Sequence, residues 1–323
     1  MAGLLVDRLV DLLVDRDSLR GRIAQAYREA CAVELAALKP GNVHRYADGH
    51  GMCVADFMAS AQASVVPLTD PSLSLGERLY RSVAATRAAV GCNTNLGILL
   101  LCAPLVPALL DRDAVGGLRQ RVVAVLRGTD REDTEWLFRA IRLASPAGLG
   151  TSGRYDVAGA ADAPLLEVMA HAAPWDRIAR AYADGFRDLF GHAAPRLAHF
   201  MERWGDESWA ATALYMDLLA RHPDTHVARK QGTAVAESVR RRAAPLAHAL
   251  ARCSNPEDYR EALLALDREF KQQGINPGTS ADFTVASLLI LRLEPMGCQL
   301  EPITGSPRVP GPRAVEAGTK LNL

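Results

Sequence analysis

The chain has 323 residues, 49% hydrophobic and 6% aromatic, enough apolar material for a sizeable core that needs no disulfide support. Its 37 Lys and Arg balance 37 Asp and Glu, so no global field attracts a polynucleotide, and no nucleic-acid partner is expected. Six cysteines (Cys31, Cys53, Cys92, Cys102, Cys253, Cys298) lack C-x-x-C spacing and no secretory leader pattern is legible, so the expected location is the reducing cytoplasm.

In chain order, "MAGLLVDRLVDLLVDRDSLR" is apolar but broken by charge every few residues. It predicts an amphipathic helix and no membrane span, and its apolar face offers a surface for a homodimer. Then "SLSLGERLYRSVAATRAAVG", "DTEWLFRAIRLAS", "PWDRIARAYADGFRDLFG" and "YREALLALDREFKQQG" carry apolar residues at steps of three and four and end in glycine or serine, the pattern of amphipathic helices. Ser72, Asp130, Asp176 and Asn255 are placed to cap or charge helix starts, and Pro174 suits a first helical position. Strand-like alternation is nearly absent. The expectation is an all-α fold, a single multi-helix domain over residues 1–300. From Glu301 the tail "EPITGSPRVPGPRAVEAGTKLNL" turns to Pro and Gly, and disorder is expected over 301–323.

Four polar loops interrupt this helical background. "KPGNVHRYADGHG" gathers Lys39, His44, Arg45, Asp48 and His50 after a helix; it suits an anion, or is a capped helix end and a solvated loop. "GCNTNLG" places Asn93, Thr94 and Asn95 before the apolar "ILLLCAPLVPALL", as a plain N-cap or as phosphate-binding N–H groups. One such terminus supplies only about 0.3 to 1 kcal/mol to an exposed charge, so a strong phosphate site needs several loops together. "RHPDTHVARKQG" holds His222, Asp224 and His226 at alternate positions with Arg229 and Lys230 behind. Zinc ligation there competes with a solvated helix face, because Pro223 leaves His222 in the preceding turn. "GINPGTSAD" puts Asn276, Pro277, Gly278, Thr279, Ser280 and Asp282 where two helices join. Its reading is either an overbuilt cap or a helix start aimed at an anion, with Asp282 able to hold a metal ion or accept a proton.

Read in order, "KPGNVHR", "NTNLG", "PDTHVARKQG" and "GINPGTSAD" resemble the marker segments of the triphosphoribosyl-dephospho-CoA synthase family, over about Ala24 to Glu294. The resemblance implies an all-helical enzyme in which the 2′-hydroxyl of 3′-dephospho-CoA attacks C1′ of ATP, adenine leaves, and the triphosphate stays on the sugar. It implies ATP and dephospho-CoA as partners and Mg²⁺ as the cofactor. Lys39, Arg45, Arg229 and Lys230 match the phosphate-binding cations, with His44, Asn93, Thr94, Asn95, Asn276, Gly278, Thr279 and Ser280 lining the nucleotide site. Glu34, Asp224 and Asp282 are the expected catalytic or metal-binding carboxylates, roles undivided.

Two departures bear on that resemblance. His44 stands where the family carries an acid in a "KPGLVD"-like pattern, and Asn95 and Leu96 replace the His and Lys of an "NTHKG"-like one. Two rival functions stand beside the transferase. One is a metal-dependent hydrolase or nucleosidase using His222, Asp224 and His226, which zinc retained through purification would favour; the other is a non-catalytic nucleotide-binding partner in a biosynthetic pathway. Arg154, Tyr155 and Asp156, in the long central region, face a second substrate or simply link helices.

Overall fold

The computed structural model describes residues 18–111, 114–293 and 296. The amphipathic start before Ser18, its dimer surface and the Pro/Gly tail lie outside these residues. Among the described residues all regular structure is helical, and β pairing is limited to two isolated bridges, His44 with Ala47 and Gly49 with Met52, both in the first polar loop.

The architecture is organised around the last of the described helices, α15 (Gly278–Leu293), whose sequence "GTSADFTVASLLILRL" is apolar on nearly every face. Its few polar side chains do not oppose burial, because Thr284 Oγ1 donates to the Ser280 carbonyl at 2.9 Å and Ser287 Oγ to the Phe283 carbonyl at 2.8 Å, so neither hydroxyl needs water. Around it pack α1 (Leu19–Ala36), α4 (Leu96–Cys102), α10 (Ala194–Trp204), α11 (Glu207–Arg221) and α12 (Thr225–Gln231). A helix buried all round is what such a sequence requires.

The outer layer follows from local signals. Helix α2 (Val54–Leu68) pairs with α3 (Leu75–Val90), which crosses α7 (Arg131–Ala144) so closely that a Cβ on Gly76 would lie 2.3 Å from the Asp133 carbonyl oxygen. That crossing is also a polar joint: Asp133 and the N-cap Asp130 bond each other's backbone N–H groups, and Asp133 Oδ1 accepts from Gly76 N at 2.7 Å. Two short helices, α5 (Leu105–Leu110) and α6 (Leu118–Arg127), complete the N-terminal half. In the C-terminal half α13 (Thr233–Leu250) packs on α11, and α14 (Arg260–Gln272) leads back to the start of α15.

The caps agree with expectation at Asp130, Asp176 and Asn255, whereas the cap of α3 is Ser74 rather than Ser72. The run from Pro174 to Gly191 corrects the sequence reading of one helix. Helix α8 (Leu165–Ala172) ends just before it, and the run itself divides into α9 (Arg177–Ala183), a break at Gly185 and Phe186, both with positive φ, and the start of a π-helical turn at Leu189–Ala193. Tertiary packing explains the break: Phe186 is fully buried, and burying that ring outweighs the cost of the left-handed backbone.

Candidate functional site

The polar loop at Gly274–Asp282 touches each of the other three. Toward the first loop, Asn276 Oδ1 accepts from Asn42 Nδ2 at 2.8 Å, and Gly41, at φ +84°, lies so close that a Cβ would stand 2.9 Å from the Ile275 carbonyl and 3.0 Å from Pro277 Cδ. Toward the third, Thr279 Oγ1 pairs with Thr225 Oγ1 at 3.1 Å and accepts from His226 N at 3.2 Å, while a Cβ on Gly278 would fall 2.3 Å from His226 Nδ1. Toward the second, the Asp282 carboxylate lies over Gly97, where a Cβ would be 2.0 Å from Oδ2. Gly41, Gly97 and Gly278 are therefore points of close approach between loops.

Asp224 joins two helix starts. Its Oδ1 accepts from His226 N at 3.0 Å and Val227 N at 3.2 Å, capping α12, and its Oδ2 accepts from Ser280 N and Ser280 Oγ, both at 2.8 Å, inside the first turn of α15. At 1% exposure it is a buried charge satisfied by N–H and O–H donors, the condition under which a carboxylate tolerates the interior.

Asp282, one turn away, differs. No hydrogen bond or ion pair holds its carboxylate among the described residues. Burial drives its pKa well above the usual carboxylate range, the charges of Asp224 and Glu34 push it further, and Arg229 opposes the shift. The side chain still keeps some accessible surface. A carboxylate placed among like charges without a partner is the sort of group that active sites maintain.

Glu34 and Lys39 form a buried ion pair, with Lys39 also donating to Asn42 Oδ1 at 3.1 Å. Burial moves each toward its neutral form, Glu34 upward and Lys39 downward. The Lys39 ammonium, 0% exposed, is thus directed at Glu34 and Asn42. His44 is also buried: its Nδ1 accepts from Tyr46 N at 3.2 Å, and Nε2 lies 3.2 Å from Asp267 Oδ1 without hydrogen-bond alignment. Burial lowers its pKa. Arg45 is exposed, stacked on Tyr46 at 4.7 Å, on the ring that Arg260 also covers.

In the second loop only part of the polar set faces outward. Asn93 Oδ1 accepts from Leu96 N at 3.2 Å, while Thr94 bonds Ser60 Oγ at 2.6 Å and Asn95 bonds Thr86 and Ser64, in a buried network continuing to Tyr27. In the third loop Arg229 reaches Asp176 at 3.7 Å and the Ala147 carbonyl at 3.2 Å, and Lys230 is exposed beside His50 and His226. Both histidines have pKa values lowered by burial.

Sequence reasoning missed Asp267 and Lys271, which sit in α14. Asp267, 2% exposed, accepts from Gly41 N at 2.9 Å and pairs with Lys271, whose Nζ also donates to the Ala47 carbonyl at 2.9 Å. Together they hold the first loop in shape; their i, i+4 spacing was the only signal, and it reads as an ordinary surface pair. Also missed was a cavity of about 1400 Å³ whose wall includes Leu96, Arg177, Thr225, Arg229 and Phe283.

Among the described residues no group of three or more His, Cys, Asp or Glu side chains is arranged to hold a metal ion by itself. His222 ends α11 while Asp224 is spent on capping, so His222, Asp224 and His226 do not form the zinc set of the hydrolase reading. A Mg²⁺ ion needs less, because it commonly takes one or two carboxylates and completes its shell with substrate phosphates and water. Asp282, unpaired and among like charges, fits that requirement.

No curated protein matches the chain. The crystal structure of an Archaeoglobus fulgidus protein provisionally assigned as a triphosphoribosyl-dephospho-CoA synthase is similar in fold, with a TM-score of 0.56 and 24% identity, over 75% of this chain and 100% of that one. Residues 20–299 match the family model of ATP:dephospho-CoA triphosphoribosyl transferase, a span that contains all four polar loops and the helices that bring them together, and the chain belongs to that family.

Proposed function

We propose that the convergence of the four loops on Asp282 is where the family's reaction, transfer of the triphosphoribosyl group of ATP to dephospho-CoA, takes place. The observation that carries this reading is the unpaired Asp282 carboxylate, lying on Gly97 one turn beyond the helix start that Asp224 secures. In the proposed step the acceptor 2′-hydroxyl loses its proton to Asp282, the bond from its oxygen to C1′ forms, and the bond from C1′ to adenine breaks. The departing base carries away the electron pair and takes up a proton. The raised pKa of Asp282 makes it a stronger base than a solvated carboxylate, and its negative charge favours the sugar cation that develops as adenine leaves.

For the triphosphate, Arg229 and Lys230 are the proposed cations, joined by the hydroxyl of Thr279 at the start of α15. Lys39 serves instead by fixing Glu34 and, through Asn42, the Asn276 side of the hub. Mg²⁺ carried by the substrate phosphates would neutralise triphosphate charge, leaving the Asp282 carboxylate free to take the proton. His44, in place of the family's acid, is proposed to act structurally, packed against Asp267.

The test is Asp282→Asn. Adenine release in a single turnover is expected to fall by at least about 10²-fold, with ATP affinity measured by calorimetry kept within about threefold. Wild-type adenine release by the variant would remove Asp282 from the chemistry.

A further inference from the structure

The cavity is larger than the roughly 300–1,000 Å³ usual for a single small ligand, and much of its wall is apolar, with Leu100, Phe138, Ile141, Leu149, Val168 and Ile178. A nucleotide triphosphate has little use for such a surface. Its wall adjoins the reaction centre, because Leu96 and Phe283, both in the wall, are the chain neighbours of Gly97 and Asp282.

One stretch of the wall is cationic. Arg177, 5% exposed, binds the Asp188 carboxylate through Nε and Nη2 and stacks over Phe283 at 4.3 Å, yet its buried Nη1 has no hydrogen-bond partner. An unfilled donor on a buried guanidinium is costly unless a ligand completes it. Arg221 also lines the cavity, is exposed, and pairs with no acid among the described residues. Between them His222 is held down to about 4 by burial and by the Arg177 charge. It is therefore neutral at pH 7, and the six arginines of the cavity wall outnumber its four aspartates.

We propose, resting on the transfer reaction above, that this cavity is the acceptor pocket, with Arg177 and Arg221 receiving the diphosphate of dephospho-CoA and the apolar wall receiving its pantetheine arm. The Arg154–Tyr155–Asp156 segment then has a role as part of that wall, where Arg154 stacks on Tyr155 at 4.4 Å and Asp156 closes a turn by accepting from Ser152 N and Ala158 N. ATP would enter from the polar loops and reach this cavity at Arg229, which lines it, so the two substrates would meet beside Asp282.

Arg221→Ala tests the cationic end without threatening the fold, since the side chain is exposed and unpaired. The KM for dephospho-CoA is expected to rise about tenfold, the KM for ATP to stay constant, and kcat at saturation to hold. Ala172→Trp tests the wall by narrowing the cavity, and calorimetric titration is expected to show dephospho-CoA affinity weakened at least about tenfold while ATP affinity is kept. Wild-type dephospho-CoA affinity in both variants overturns the proposal, and so does a loss confined to ATP. If the wild-type protein binds dephospho-CoA, the two variants bind it more weakly, and the wild-type protein performs no transfer, the pocket assignment stands and the reaction assigned to Asp282 falls.

Discussion

Substitution of Gly97 by alanine adds one methyl group and no chemistry, yet it should disable the enzyme. The new Cβ would lie 2.0 Å from Asp282 Oδ2 and 2.5 Å from its Cγ, whereas ordinary contact begins at 3.4 Å. The carboxylate must therefore retreat by about 1.4 Å, and it can do so because no hydrogen bond fixes it. A misplacement of about 1 Å at a reacting centre costs on the order of 10² in rate, which corresponds to about 2.7 kcal/mol of barrier. The backbone itself accepts the change, since Gly97 is within α4 without a positive φ, and alanine is favoured over glycine in helices by up to about 1 kcal/mol. The assay is kcat for adenine release alongside a thermal melt followed by circular dichroism. The expected result is a loss of about two orders of magnitude in kcat with little change in melting temperature. Full turnover in a folded Gly97→Ala protein would refute the placement of Asp282 at the reaction centre.

Other perturbations separate structural from chemical carboxylates. Asp224→Ala removes the acceptor of four hydrogen bonds from two helix starts and should lower stability by roughly 3 kcal/mol in urea denaturation; a loss below about 1 kcal/mol would mean that the caps are replaceable. Lys39→Met leaves Glu34 without its partner in the interior, to be buried charged or to take up a proton, an expected cost of up to about 3–5 kcal/mol, and the added Glu34→Gln substitution should restore most of it; equal melting curves for the two variants would contradict the buried pair. Asp282→Asn has a pH signature. Because the folded protein holds the Asp282 proton more tightly than the unfolded chain, wild-type stability relative to the variant declines as pH rises above about 4, through the folded pKa, and then levels off. The variant should melt higher than wild type at pH 8 and nearly equal to it at pH 4, and a gap that does not change with pH would show that Asp282 is not perturbed.

The helical class and many helix boundaries were legible because they rest on local signals: apolar spacing, caps such as Asp130 and Asn255, and glycines beyond helix ends. The break at Gly185 and Phe186 was not, because burial of one aromatic ring decided it. For the site, sequence order marked the four loops but could not say which residues face one another. Gly97 reads as a helix residue until Asp282 is laid upon it, and Lys39 reads as a free cation until Glu34, one turn and a half earlier, is found beside it. Thr94 and Asn95 are ordinary cap residues in sequence, yet they turn inward to hydroxyls on α2 and α3. Asp267 and Lys271 resemble any surface pair, and only the return of α14 to the first loop gives them their task. The cavity had no local signature, because its wall is drawn from helices and loops spread between Leu96 and Phe283.

The measurement that bears most directly on the central claim is mass spectrometry of the purified protein incubated with ATP, Mg²⁺ and 3′-dephospho-CoA. Free adenine together with a triphosphoribosyl adduct of dephospho-CoA, both lost in Gly97→Ala and Asp282→Asn, is the predicted result. ATP binding with neither product formed by the wild-type protein would contradict it.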